Sequence, residues 1–91
     1  MPTIINLEHA NDGVKKYKAT FDDGTITKFG QFGANDFTLT GDVNARRLYR
    51  ARHKKDLKTN DPRRAGYLSY FILWNLPTVK ESVREFNQLF G

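Results

Sequence analysis

Cysteine is absent from the 91-residue chain. That absence excludes disulfides, thiolate metal sites and cysteine nucleophiles, and it fits a reducing compartment. Histidine is scarce. His9 and His53 stand far apart, and no His-x-x-x-His or His-Glu-x-x-His spacing exists, so no zinc site and no other metal site is expected. The two serines, Ser69 and Ser82, lie outside any Gly-x-Ser-x-Gly elbow. Long apolar runs are missing too. The longest, Tyr70 to Trp74, is five residues, against roughly 20 for a bilayer span. The first residues lack the basic flank and apolar stretch of a secretory signal, so neither a signal peptide nor a membrane partner is expected. Linker-like Gly/Ser/Pro tracts, repeats and low-complexity segments are also lacking, which gives one small basic domain over residues 1–91.

What is present in excess is positive charge. Fifteen Lys and Arg face ten Asp and Glu, for a formal net charge of +5. The excess is local. Residues 1–40 sum to −1, whereas residues 46–64 alone hold nine basic and two acidic side chains, +7 in total. An asymmetry of this kind calls for an anionic partner.

The first half carries strand signals. Tyr17, Ala19 and Phe21 alternate with Lys16, Lys18 and Thr20, the period of a half-buried strand. Asp22-Asp23-Gly24 and a second β-rich run through Phe29 follow. A two-residue turn would set Ala19 against Lys28 and bring a lysine onto the apolar face. A three-residue loop instead pairs Tyr17 with Phe29 and Ala19 with Thr27. It places Gly24 in the left-handed position of a type I turn with a G1 bulge. Ile4 to Leu7 gives weak support to a third, short strand. Residues 30–41, with three glycines, read as an irregular loop in which Phe32 and Phe37 plug the core. Gly30-Gln31-Phe32-Gly33 lacks the features of a P-loop or a dinucleotide fingerprint.

The second half carries helix signals. A helix is expected from Asp42 to about Lys55, with Val43, Leu48, Ala51 and Tyr49 as its candidate inner stripe. Asp61-Pro62 reads as the N-cap and first position of a central, most buried helix bearing Tyr67, Leu68, Tyr70, Phe71, Ile72 and Trp74, with Trp74 beside Phe71 and the last helix. Thr78-Val79-Lys80-Glu81 matches a capping box. Val79, Val83, Phe86 and Phe90 then form one face of a final helix, and Phe86, Leu89 and Phe90 are candidates for an exposed apolar patch. Strands first and helices second give an α+β fold: a small antiparallel sheet of two or three strands, built on an N-terminal β-hairpin, packed with about three C-terminal helices.

No catalytic constellation emerges. Asp22-Asp23 beside Gly24 reads as a turn, and the other aspartates sit at loop and helix starts. The protein is expected to be non-enzymatic and without a cofactor. The informative residues are Arg46, Arg47, Arg50, Arg52, Lys54, Lys55 and Lys58, followed by Arg63 and Arg64. Arg46, Arg50 and Lys54 are spaced by four, one row along a helix, and like charges in such a row destabilise an isolated helix. Guanidinium groups fork onto phosphate or carboxylate, which suits an interface. The reading is a nucleic-acid-binding protein that touches phosphates more than base edges, on DNA or RNA, with weak sequence preference. The alternative is a structural or interaction protein docking these cations onto an acidic protein surface. A solvated helix face is the plain alternative to both, and Tyr49 suits either base stacking or the core edge. Homo-oligomerisation stays open.

An ordered set of residues also carries a resemblance. It comprises Lys15-Lys16-Tyr17-Lys18, Phe29-Gly30, Asn35-Asp36-Phe37-Thr38, Arg47, Tyr49, Arg52-His53, Ala65-Gly66-Tyr67-Leu68-Ser69 and Leu73-Trp74-Asn75. The sequence resembles a family of small uncharacterised proteins encoded by large double-stranded DNA viruses of algae and amoebae. Phe37 departs from the tyrosine expected there, which removes a hydroxyl. The resemblance implies a viral protein of the host cytoplasm or the virion, with a minor capsid or packaging component as the form the structural alternative takes. It carries over no site residues.

Overall fold

The computed structural model describes residues 2–91. Three strands, β1 (Ile4–His9), β2 (Lys15–Phe21) and β3 (Ile26–Gln31), form an antiparallel meander in the order β1-β2-β3. The β2–β3 register pairs Tyr17 with Phe29 and Ala19 with Thr27. The turn closes with Gly24 N–H donating to the Phe21 carbonyl at 3.0 Å, and Gly24 has φ +88°. This is the three-residue loop, and the register keeps Ala19, Phe21 and Phe29 on the buried face.

β1 owes its place to an irregularity. Ile4 pairs with Phe21 and Asn6 with Thr20, so Ile5 is an extra residue. Without the bulge, Ile4 and Leu7 would point to opposite faces, because their spacing is odd. With it, Ile4 is buried and Leu7 packs against the same core, while Ile5 is exposed.

The helices follow. α1 (Phe37–Thr40) is a single turn. α2 (Val43–His53) runs into a 3₁₀ turn over Lys54–Thr59. α3 (Ala65–Leu68) passes, through helical backbone at Leu68 and Ser69, into a π-helical segment, Ser69–Leu73. α4 (Val79–Phe90) is the last of these elements. The antiparallel sheet followed by helices is the expected α+β class. One hydrophobic cluster joins the sheet to the central helix and α4: Ala19, Phe21 and Phe29 from the strands, Leu68, Ile72 and Leu73 from the centre, and Phe86 from α4. The radius of gyration is 12.2 Å, close to the ~12 Å of a compact chain this long. No helix among the described residues is long and apolar enough to cross a membrane.

α4 opens on its Thr78 cap, with the Glu81 carboxylate turned to the Thr78 hydroxyl in place of the Thr78 N–H that a full capping box engages. Thr78 Oγ1 accepts from Glu81 N–H at 3.2 Å, and the Thr78 hydroxyl donates to Glu81 Oε1 at 2.9 Å. Its docking is fixed by Asn87, whose Oδ1 accepts from Ile4 N–H at 2.8 Å while its Nδ2 donates to the Ile4 carbonyl at 3.1 Å. The helix thus satisfies backbone groups of β1 at the bulge.

Four expectations are corrected. Phe32 is 63% exposed and plugs nothing, whereas Phe37 is buried as the first residue of α1. The central helix begins at Ala65: Asp61 Oδ1 accepts from Arg63 N–H and its carbonyl from Arg64 N–H, so residues 61–64 form a turn ahead of the helix. Trp74 packs against the hydrophobic cluster but is only half-buried, and its ring stacks on Tyr49 of α2. Of the C-terminal apolar residues, only Leu89 is exposed; Phe86 is fully buried and Phe90 half-buried.

Candidate nucleic-acid interface

α2 presents its faces in an unexpected way. Asp42 caps it, its carboxylate accepting from Ala45 N–H at 3.0 Å. Val43 is 60% and Leu48 54% exposed, and Ala51 is exposed as well, so the expected aliphatic stripe faces outward. The inward residues are Arg46, Tyr49, Arg50 and His53, spaced i, i+3, i+4 and i+7 as one helix face demands.

The reason lies in what the guanidinium groups meet. Arg50 Nη1 donates to the carbonyls of Tyr70 at 3.2 Å and Trp74 at 2.9 Å. Its Cζ lies 4.0 Å from the centre of the Tyr70 ring. Arg46 Nη1 donates to the Asn75 carbonyl at 2.9 Å, with its Cζ 4.5 Å from the Phe37 ring centre. Carbonyls at the end of a helix lack intrahelical donors and form the negative end of its dipole. The two arginines supply both donors and charge there, and their flat faces cover aromatic rings. Between them, Tyr49 is sandwiched by Trp74, with centroids 4.5 Å apart, and His53, 4.1 Å away. Burial pushes the Tyr49 hydroxyl up from its ordinary value, against a smaller opposing hydrogen bond with Ser69. His53 Nδ1 lies 3.1 Å from Asp56 Oδ2.

The nine candidate cations therefore separate. Arg46 and Arg50 are engaged inside the fold, where Val43, Leu48 and Ala51 were expected to face inward. Arg63 pairs with Asp23 at 2.8 Å and with Asp61 at 3.6 Å, and Arg64 approaches Asp61 at 4.0 Å. Arg47, Arg52, Lys54, Lys55 and Lys58 are exposed, and none forms an ion pair among the described residues. Lys54, Lys55 and Lys58 line one shallow depression around Leu57.

A cavity of about 370 Å³ adjoins this basic face. Sequence spacing gave no sign of it, because its walls come from β2, the end of β3, the loop before α1, α2 and the π-helical segment. Arg52, His53, Tyr49 and Trp74 line it together with Gln31 and Asn35. At its base Lys16 is paired with the buried Asp36, whose Oδ1 also accepts from Thr38 N–H at 2.9 Å and so caps α1. Gly30, with φ +78°, closes one side; a Cβ there would lie 2.9 Å from Leu73 Cδ1. No cluster of three or more His, Asp or Glu able to hold a metal ion occurs among the described residues.

Neither a curated protein nor a solved structure matches the chain. One family does, over residues 5–53, a stretch that runs from the second residue of β1 to the last residue of α2 and takes in β2, β3 and the inward arginines. With more than half of its length matched, the chain belongs to DUF5754, a family of unknown function.

Proposed function

We propose that the protein binds nucleic acid through the outer face of α2 and the 3₁₀ turn that follows it. One observation carries the reading: Arg47, Arg52, Lys54, Lys55 and Lys58 stand exposed within twelve residues with no carboxylate partner among the described residues. Asp56, the acidic residue among them, faces His53. Unneutralised cations at this density repel one another, and a polyanion removes that repulsion while releasing its own counterions. The contacts are to phosphates, sequence preference is weak, and affinity is roughly micromolar or weaker at physiological salt.

A second reading, docking onto an acidic protein surface, is favoured by the exposed Val43 and Leu48, which share the outer side of α2 with Arg47. The test separates the two. Anisotropy of a labelled single-stranded oligonucleotide is followed across a salt series. Each phosphate neutralised contributes a slope of about 0.7 in log affinity against log salt on a single strand. Replacing Arg47, Lys54, Lys55 and Lys58 with Ala lowers that slope by up to about three units and weakens all sequences alike. Absence of salt-sensitive binding to single-stranded DNA, duplex DNA and RNA rejects the nucleic-acid reading and leaves the acidic-surface one.

A further inference from the structure

The cavity beside α2 has a charge pattern of its own. Lys16 is matched by Asp36 and His53 faces Asp56, so the unmatched charge on its wall is the Arg52 guanidinium. The exposed side-chain amides of Gln31 and Asn35 line the same cavity, each both donor and acceptor. The lining also includes the stacked rings of Tyr49, His53 and Trp74. The volume, about 370 Å³, falls in the range of small-ligand pockets, roughly 300–1,000 Å³.

A ligand complementary to these walls carries an anionic group for Arg52 and, a short distance away, a flat body with hydrogen-bonding edges. One nucleotide of a strand has both. In a duplex the base edges are paired and the faces stacked, so only an unpaired base can enter. α2 is also poorly suited to reading a duplex groove, since Arg46 and Arg50 are turned inward onto backbone carbonyls. Resting on the nucleic-acid reading above, we infer that this cavity receives one unpaired base, with an adjacent phosphate on Arg52, and that the protein therefore prefers single strands to duplex.

Three labelled DNA probes of equal length test this at one salt concentration: a mixed-sequence single strand, the same backbone with abasic sites throughout, and the matched duplex. The single and abasic strands carry equal charge. The base-bearing strand is expected to bind about tenfold tighter than the abasic one, the scale of one well-held base. The double variant Gln31→Ala, Asn35→Ala changes only exposed side chains. It should erase most of that difference and leave abasic binding and the salt slope unchanged. Equal binding of base-bearing and abasic strands by the wild type overturns the pocket assignment and leaves phosphate binding standing. A difference that persists in the double variant also overturns it. Failure to bind any of the three probes rejects both the pocket and the nucleic-acid reading.

Discussion

Arg50 shows how one side chain decides what a helix face is for. An aliphatic residue at its position could cover Tyr70 but could not satisfy the Tyr70 and Trp74 carbonyls that Arg50 bridges. Arg50→Ala is expected to cost about 2–4 kcal/mol, combining charged hydrogen bonds with a partly desolvated cation–π contact. Arg50→Lys recovers only part, because a single ammonium cannot lie flat on the ring and reach both carbonyls. Urea denaturation measures this, and an unchanged midpoint in Arg50→Ala would contradict the assignment. Arg47→Ala, on the exposed side of the same helix, should stay within about 0.5 kcal/mol. A count of charges treats Arg46, Arg47 and Arg50 alike; their roles differ by the acceptors they meet, which are some 20 to 29 residues away in the chain. One signal was present. Arg46, Tyr49, Arg50 and His53 keep strict helical spacing, while Val43, Leu48 and Ala51 spread over a wider arc of the helix.

At the scale of elements, the β2–β3 hairpin, the α2 cap and the α4 cap were legible because each is written in local chemistry: alternation, a turn glycine, a carboxylate or hydroxyl at the right offset. β1 was hard to read because its bulge breaks the alternation a strand is recognised by. The central helix starts late because Asp61 spends its carboxylate on a turn instead of on a helix N-terminus. The loop joining β1 to β2 depends in the same way on Asp12. Its Oδ1 accepts from the backbone N–H groups of Val14 and Lys15, both at 2.9 Å, and its Oδ2 lies 3.2 Å from Lys28 Nζ. The Lys15 and Val14 N–H groups, with Lys28 adding to them, hold its carboxyl down at about 2. A carboxyl whose pKa is lower folded than unfolded contributes stability above the ordinary carboxylate range and loses it as pH falls through the folded value. Thermal midpoints recorded from pH 5 down to pH 2 should therefore fall less steeply in Asp12→Asn than in the wild type. Parallel acid limbs would show that Asp12 does not anchor the loop.

Across the whole molecule, the sheet, the central helix and α4 build the core, and α2 is laid against the end of the central helix by arginines and stacked rings. That arrangement turns a basic segment of one sign into two populations, one holding the fold and one facing solvent. The cavity could not be foreseen, since residues from Lys16 to Trp74 meet in it and no sequence interval joins them. The division of the cations is the central claim, and the side-chain Nε–H signals of the arginines in a proton–nitrogen correlation spectrum test it directly. On titration with a single-stranded oligonucleotide, the Arg47 and Arg52 signals should shift in proportion to binding and return as salt is raised, while Arg46 and Arg50 stay in place. Movement of Arg46 and Arg50 with Arg47 and Arg52 unmoved, or no movement of any arginine signal, would contradict the account.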